Sequence, residues 1–294
     1  MKLKNIILTV FIIMLCSSCG QNKKIEMGIL SNLFGGKSEK LIKIKHREDW
    51  DFYLTNVDDK LSSIAVDLGL KSVAPIVDKQ HIVWISLKMN NPREDGLSSK
   101  EEFEKLGYIE DQIVNSIVKN HNAIFVGRLT SDNHRDFYFY FGETKNYEKT
   151  IFNVMQNFSD YKYAIGTKID KEWDGYLNFL FPQPEQYQKI KNRKVVDNLV
   201  ENGDRLDKKR EVTHWIYFTN ENDRENFIKK IATENFKVEE KNKVKENTKL
   251  PYILRISRID KVDYDNIDTF TILLWKLANE NNGEYDGWET SVEK

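Results

Sequence analysis

Cysteine and histidine are scarce in this chain of 294 residues, and their scarcity excludes several kinds of protein. The 2 cysteines, Cys16 and Cys19, both precede the first segment with a folding pattern. A disulfide framework, a thiol nucleophile and a cysteine-bound zinc site are therefore not expected in the folded part. The 5 histidines are scattered and do not form the i, i+4 pair with a carboxylate that marks a zinc-binding helix. They are His46, His81, His121, His134 and His214.

Motifs that mark a catalytic centre are missing as well. The sequence has no G-x-S-x-G elbow and no phosphate-binding loop, and its one Gly-Gly pair, Gly35-Gly36, precedes the folded segments. His134 and Asp136 would allow a metal pair, but a polar turn is the favoured interpretation. His214, next to Trp215, is interpreted as a hydrogen-bonded histidine at a sheet margin. The sequence therefore predicts no catalytic residue, no metal ligand and no cofactor.

A large net charge of either sign is also lacking, because 45 basic residues nearly balance 46 acidic ones. Removal of Lys2 and Lys4 with an export signal would change the net charge from −1 to −3. Such a balance provides no electrostatic footprint for nucleic acid, so a nucleic-acid partner is not expected. Two locally basic runs, Lys189–Lys194 and Lys237–Lys249, are interpreted as solvated surface.

The N-terminus has the pattern of an export signal, predicted over residues 1–18. Two lysines precede a ten-residue apolar core at residues 6–15, which is too short to span a bilayer. The segment Ser18-Cys19-Gly20 resembles the lipobox of bacterial lipoproteins, although Cys16 stands where leucine is usual. This resemblance implies that Cys19 is acylated, for example with palmitate, and anchors the protein outside the cytoplasm in the bacterial cell envelope. An uncleaved anchor is the alternative.

The remaining chain is divided by its hydrophobic pattern into a tether, two domains and a connector. The tether is predicted at residues 19–45, the first domain at 46–182, the connecting helix at 183–198 and the second domain at 199–294. Each domain has the element order β-α-β-β-α-β. This order favours an α+β fold of the ferredoxin-like type, with helices on one face of an antiparallel sheet.

Two short segments allow more specific predictions, one for the start of a helix and one for a tight turn. A capping box at Ser99–Glu102 is followed by a helix whose inward face is predicted to hold Phe103, Leu106, Ile109, Ile113 and Ile117. Near the C-terminus, Asp286-Gly287 is typical of a tight turn with positive φ at Gly287. The last strand is then predicted at residues 287–292.

The second domain resembles the regulator of ribonuclease E activity B (RraB) family. The resemblance is carried by Gly203-Asp204, by Arg210 with the segment 214–218, and above all by Gly-Glu-Tyr-Asp-Gly-Trp at residues 283–288. The first domain resembles family 695 of domains of unknown function. That resemblance rests on the motifs Trp50 with Phe52-Tyr53, residues 135–140, and residues 170–176 followed by Pro182. Known chains join these two domain types in this order.

The resemblance implies a ferredoxin-like fold and a non-enzymatic binding role. Members of the regulator family are small, acidic, cytoplasmic proteins that bind an endoribonuclease and restrain it. This chain differs by its export signal and its near-neutral charge. Ribonuclease E acts inside the cell, where an exported lipoprotein does not meet it, so the expected partner is another, unidentified protein.

The Asp-Gly motifs supply the candidate binding surface. Its predicted members are Glu284, Tyr285, Asp286, Gly287, Trp288, Trp173, Asp174 and Tyr176. If the aromatic side chains point outward, they form a patch with an acidic rim that suits binding. If they point inward, they close the end of the sheet.

Two functional hypotheses follow from these features. The favoured one is a membrane-tethered, non-enzymatic interaction module with an unknown protein partner. The alternative is an envelope hydrolase or sugar-processing enzyme with a carboxylate-lined cleft between the domains. Its carboxylates would be Glu172, Asp174, Glu284 and Asp286.

Overall fold

The computed structural model describes residues 46–244 and 249–294. The export signal, Cys19 and the tether lie outside the described residues. The described chain divides into two compact units, an N-terminal unit that ends at Ile190 and a C-terminal unit that begins at Lys191. Within these residues, none of the helices has the length and apolarity needed to cross a bilayer.

The N-terminal unit contains a six-stranded antiparallel sheet in the order β1-β2-β4-β5-β3-β6. Its elements are β1 (Trp50–Val57), β2 (Lys60–Asp67), β3 (His81–Lys88), α1 (Lys100–His121), β4 (Ile124–Ser131), β5 (His134–Phe141), α2 (Tyr147–Met155) and β6 (Tyr163–Ile169). A π-helical turn at Gly175–Leu180 and helix α3 (Pro184–Glu201) follow. Strands β3 to β6 with α1 and α2 form the predicted β-α-β-β-α-β arrangement. The β1–β2 hairpin extends this sheet beyond β4.

Helix α1 begins as predicted, because the Ser99 hydroxyl accepts a hydrogen bond from the backbone N–H of Glu102. The Glu102 carboxylate in turn accepts bonds from the backbone N–H groups of Asn90 and Asn91 at 2.8 and 2.7 Å. This draws Glu102 into the buried stripe of the helix, so that Phe103 falls on its flank and is 52% exposed. The prediction that Phe103 faces the core was wrong. The other four predicted positions are buried, namely Leu106, Ile109, Ile113 and Ile117.

The C-terminal unit has a four-stranded antiparallel sheet in the order β10-β7-β9-β8. Its elements after α3 are β7 (Arg210–Phe218), α4 (Glu221–Lys230), β8 (Lys237–Lys243), β9 (Tyr252–Asp260), α5 (Tyr264–Glu280) and β10 (Gly283–Thr290). The first and third strands of the unit lie side by side at the centre of the sheet, as in the ferredoxin-like arrangement. The predicted α+β fold is therefore confirmed in both units. Helices α4 and α5 pack on one face of the sheet, over Ile216, Phe218, Leu254 and Ile256.

The predicted turn at Asp286-Gly287 is a β-bulge inside β10. The pairing of β10 with β7 shifts register between Tyr285 and Gly287, which leaves Asp286 as the extra residue. The chain reverses before the strand, where Asn282 has a φ of 50°. The turn and the strand start at residue 287 were therefore predicted wrongly. The Asp-Gly pair marks a bulge here, and the strand begins four residues earlier at Gly283.

Candidate functional site

Tyr285 and Trp288 point into the core of the C-terminal unit. Their exposures are 3% and 8%. In a regular strand, residues three apart lie on opposite faces, but the bulge at Asp286 adds one residue and places both on the helix-covered face. The Trp288 indole N–H donates to the side-chain oxygen of Asn192 at 3.1 Å. The outward orientation considered for these two aromatic residues was therefore wrong.

His214 is the partner of Tyr285 in this core. The Nδ1 atom of His214 lies 2.8 Å from the Tyr285 hydroxyl, and the ring is fully buried. Burial, together with the positive charge of the nearby Arg258 guanidinium, lowers the pKa of His214 to about 3. Burial raises the pKa of Tyr285. The pair is therefore neutral at physiological pH. It lies in the core, whereas the sequence interpretation placed His214 at the sheet margin.

Trp173 and Tyr176 are also fully buried, in the N-terminal unit. The Trp173 ring stacks on Tyr140 with centroids 4.0 Å apart, and its N–H donates to the backbone oxygen of Lys79 at 2.7 Å. The carboxylate of Asp170 accepts bonds from the Tyr140 hydroxyl and from the backbone N–H groups that follow Trp173. These contacts stabilise the interior of the N-terminal unit. The assignment of Trp173 and Tyr176 to a binding surface was therefore wrong.

The predicted acidic residues do reach the surface. Asp174, Glu284 and Asp286 are exposed, and Gly287 is partly buried. Glu172 is exposed as well and lies with Asp174 in the N-terminal unit, whereas Glu284 and Asp286 belong to the C-terminal unit.

Near the start of β5, each of the two residues that suggested a metal pair has a partner within the protein. The Nδ1 atom of His134 lies 2.8 Å from the backbone oxygen of Asp132, within the β4–β5 turn. Asp136 lies two residues further along β5, opposite Ser86 on β3. Burial raises the pKa of Asp136, and a hydrogen bond from Ser86 opposes that rise. Among residues 46–244 and 249–294, no group of three or more His, Cys, Asp or Glu side chains has the geometry to hold a metal ion.

The second sheet has a face opposite α4 and α5, and the central strand β7 places aromatic side chains on it. Along β7, burial alternates, with Val212, His214, Ile216 and Phe218 buried on the helix side. Trp215 and Tyr217 lie on the other face and are partly exposed. The sequence reasoning missed these two residues as surface candidates. The available signal was the period-two spacing of Val212, Ile216 and Phe218, which assigns the intervening Trp215 and Tyr217 to the opposite face.

Charged residues flank this aromatic pair on the neighbouring strands. On β10, Glu284 lies opposite Tyr217 and Gly287 lies opposite Trp215. On β9, Arg255 lies opposite Trp215, and Glu240 of β8 lies opposite Arg255. We call this surface the acidic sheet face. It comprises Trp215, Tyr217, Glu240, Arg255, Glu284, Asp286 and Glu289.

Charges within the acidic sheet face act on one another. Burial raises the pKa of Tyr217, and the negative charge of Asp286 raises it further. Burial likewise raises the pKa of Glu289, whereas the positive charge of Arg255 lowers it. An Arg255 guanidinium nitrogen lies 3.5 Å from a Glu240 carboxylate oxygen. Aromatic rings beside carboxylates attract cations, through the ring quadrupole and through charge.

A second cation, Lys191 of α3, lies near this face. Burial lowers the pKa of Lys191, and the negative charges of Asp286 and Glu284 oppose the decrease. The acidic sheet face therefore has four carboxylates, and two cationic side chains, Arg255 and Lys191, lie on it or near it. Its net charge is negative. Its chemistry suits the binding of a cationic group.

Comparisons with known proteins agree with the two resemblances in the sequence. Residues 48–181 match the family model described as "Family of unknown function (DUF695)", and residues 189–290 match "Regulator of ribonuclease activity B". Both resemblances are thus confirmed, in the predicted order. A search of curated proteins found no match. A solved structure, of an unknown protein from Galdieria sulphuraria, shares 9% identity over 71% of this chain and 96% of that chain, with a TM-score of 0.19.

Proposed function

We propose that this chain, which joins a DUF695 domain to a regulator of ribonuclease activity B domain, is a non-enzymatic interaction protein. In this proposal, the second domain binds a basic segment of a partner protein through the acidic sheet face. The observation that carries the proposal is the placement of Trp215 and Tyr217 between the carboxylates of β10 and the Arg255–Glu240 pair.

The chemistry of the face favours a lysine- or arginine-rich protein segment. Residues two apart on a strand project from the same face about 7 Å apart. Trp215 and Tyr217 thus provide two neighbouring platforms for cation–π contacts with such a segment. Glu284 and Asp286 would pair with its charges and accelerate its association. The same negative excess would repel the phosphates of a nucleic acid.

We further propose that the protein is a lipoprotein of the bacterial cell envelope, anchored through Cys19. The support is the sequence Ser18-Cys19-Gly20 after a short apolar core. A protein exported in this way does not share a compartment with a cytoplasmic ribonuclease. The partner is therefore an envelope protein with an accessible basic segment.

Crosslinking in intact cells tests the proposed function. The full-length lipidated chain would be compared with the charge-reversal variant Glu284→Lys/Asp286→Lys, which changes two exposed carboxylates of the face. Glu201→Lys, an exposed acid at the end of α3, serves as the matched control. We expect quantitative mass spectrometry to show that a captured protein is lost with the double variant and retained with the control. An unchanged set of captured proteins, with the variant correctly folded and exported, would refute the proposal.

A further inference from the structure

The helix layer of the first domain covers only part of its six-stranded sheet. The core beneath α1 and α2 takes its strand residues from β3, β4, β5 and β6, for example Val83, Phe125, Phe139 and Ile165. Packed helices lie about 10 Å apart, whereas neighbouring strands lie about 4.8 Å apart. Two helices therefore cover about four strands. The β1–β2 hairpin extends past this layer by the width of one further helix.

Large apolar side chains stand on the helix side of this hairpin. Trp50, Phe52 and Leu54 alternate along β1 and are 41%, 51% and 56% exposed. Their orientation follows from the sheet register, in which Phe52 pairs with Ala65 and Ala65 pairs with Arg128. Arg128 pairs with Phe137, which is buried under α1 and α2. The exposed side chains of β1 therefore share the face on which the helices lie.

Helix α1 forms the opposite wall of this open region. The ion pair between Glu110 on α1 and Arg128 on β4 shows which flank of the helix faces the hairpin. Residues at helical spacing from Glu110 share that flank, among them Phe103 and Val118, which are 52% and 41% exposed. Gly107 lies between them, and a Cβ placed there would meet no atom within 4 Å.

We call this region the hairpin trough. It is lined by Trp50, Leu54, Ala65, Phe103, Gly107 and Val118. Its walls carry large apolar side chains. On its floor, β2 places the small residues Ala65 and Ser63 next to β1, and β4 places Arg128, which is paired with Glu110.

Two aromatic side chains at the edges of the trough, those of Trp50 and Phe103, are fixed by contacts with neighbouring side chains. The Trp50 ring stacks on Phe125 with centroids 5.2 Å apart, and its N–H donates to Glu48 at 3.3 Å. The Phe103 ring lies 5.6 Å from the guanidinium carbon of Arg135, which is only 2% exposed. Fixed, exposed aromatic side chains lose little conformational entropy on binding, and such residues are typical binding hot spots.

We propose that the hairpin trough binds an amphipathic helix of a protein partner, with lysine or arginine along the borders of its apolar face. The trough has the width of one helix, and the 8 residues of β1 span about 27 Å, the length of about eighteen helical residues. A helix seated there would complete the layer formed by α1 and α2. This surface lies in the first domain and is independent of the acidic sheet face.

The charges around the trough favour a basic partner over the other possible occupants. Glu104 and Asp111 are exposed and follow Phe103 and Glu110 by one position, so they border the α1 wall. Glu48 borders the other wall beside Trp50, and Lys100 offsets part of this charge. A second copy of the chain would bring the same carboxylates together, and an anionic lipid surface would be repelled as well.

A binding assay with a defined probe tests this proposal. The probe is a fluorescent helical peptide of about eighteen leucine and lysine residues in amphipathic order, with a scrambled peptide of the same composition as reference. We expect Leu54→Gln and Val118→Gln, on the two walls, each to weaken its binding to the full-length chain about tenfold. Ile169→Gln, an equally drastic change at a residue that is 67% exposed on β6, should leave the affinity within about twofold. Equal affinity of all variants, or of the scrambled peptide, would overturn the proposal.

Two further measurements test the other possible occupants of the trough, which are a second copy of the chain and a lipid surface. If sedimentation shows a dimer that Leu54→Gln dissociates and Ile169→Gln does not, the trough is an interface between copies and the proposal fails. If flotation with phosphatidylglycerol vesicles is lost with the same selectivity, the trough contacts lipid and the proposal fails. Thermal melts verify folding, and Val118→Gln on α1 provides the test if Leu54→Gln on β1 does not fold.

Discussion

The Nδ1 atom of His214 and the hydroxyl of Tyr285 form a 2.8 Å hydrogen bond that joins the two neighbouring strands β7 and β10 inside the core. Tyr285→Phe removes this partner and leaves a buried ring nitrogen unsatisfied. We expect a loss of about 1–3 kcal/mol in the free energy of unfolding. Chemical denaturation measures it, with the partly exposed Tyr217→Phe as control, which should change stability by less than about 0.5 kcal/mol. Equal losses from both variants would contradict a special role for the buried pair.

The same histidine predicts acid sensitivity of the second domain. His214 has a pKa of about 3 when folded, and its ordinary value is 6.5. The unfolded chain therefore binds more protons between these values, and stability decreases as the pH falls from about 6.5 towards 3. A His214→Phe variant, which cannot take up this proton, should have a flatter stability profile over the same window. Parallel profiles for the parent and the variant would show that other groups control the acid response.

Two glycines of β10 should differ sharply in their tolerance of a side chain. A Cβ at Gly283 would lie 2.6 Å from the Phe218 ring, whereas a Cβ at Gly287 would meet no atom within 4 Å. Gly283→Ala should therefore destabilise the domain by about 1–3 kcal/mol, the usual cost of overpacking. Gly287→Ala should be neutral to slightly stabilising, because glycine is unfavourable within a strand. Thermal melts of the two variants compare them directly, and the reverse order would contradict the close packing of Gly283 against Phe218 and the open space at Gly287.

The bulge in β10 is a feature that the sequence pattern did not predict. Hydrophobic spacing predicted the elements and the fold of both domains, because buried positions along α1 and β7 repeat with the period of a helix or a strand. The orientation of Tyr285 and Trp288 depends on one extra residue in β10, and Asp-Gly is equally typical of a turn and of a bulge. The same holds for Trp173, whose burial depends on contacts with Tyr140 and Lys79, far away in the sequence. Local patterns do not encode such contacts.

The ion pair between Asp204 and Arg210 explains two residues of the regulator-family motif. Both side chains are at most 3% exposed, and Asp204 also accepts bonds from the backbone N–H groups of Leu206 and Glu293. Burial raises the pKa of Asp204, but these bonds and the positive charge of Arg210 outweigh burial, so the pKa is lowered. The pair thus stabilises the fold at neutral pH, and this contribution is lost as the pH falls below the ordinary carboxyl range.

Removal of this carboxylate should be costly. Asp204→Asn leaves the buried guanidinium uncompensated, and we expect a loss of about 3–5 kcal/mol in the free energy of unfolding. Asp207→Asn is the matched control, because its pair with Arg205 is well exposed and should contribute less than about 1 kcal/mol. Urea denaturation of both variants gives the difference. Similar losses in the free energy of unfolding for the two variants would show that the buried Asp204–Arg210 pair contributes no more to stability than the exposed Asp207–Arg205 pair.

The two cysteines provide a matched pair for the proposed membrane anchor. Cys19 follows the small residue Ser18, whereas Cys16 follows Leu15, so acylation is expected at Cys19 alone. Cys19→Ala should abolish incorporation of labelled palmitate and shift the protein from the membrane fraction to the soluble fraction, or leave it unprocessed. Cys16→Ala should retain lipidation and membrane association. Labelling that survives Cys19→Ala but disappears with Cys16→Ala would move the anchor to Cys16, and labelling that survives in the double variant Cys16→Ala/Cys19→Ala would exclude a thioether-linked lipid at this N-terminus.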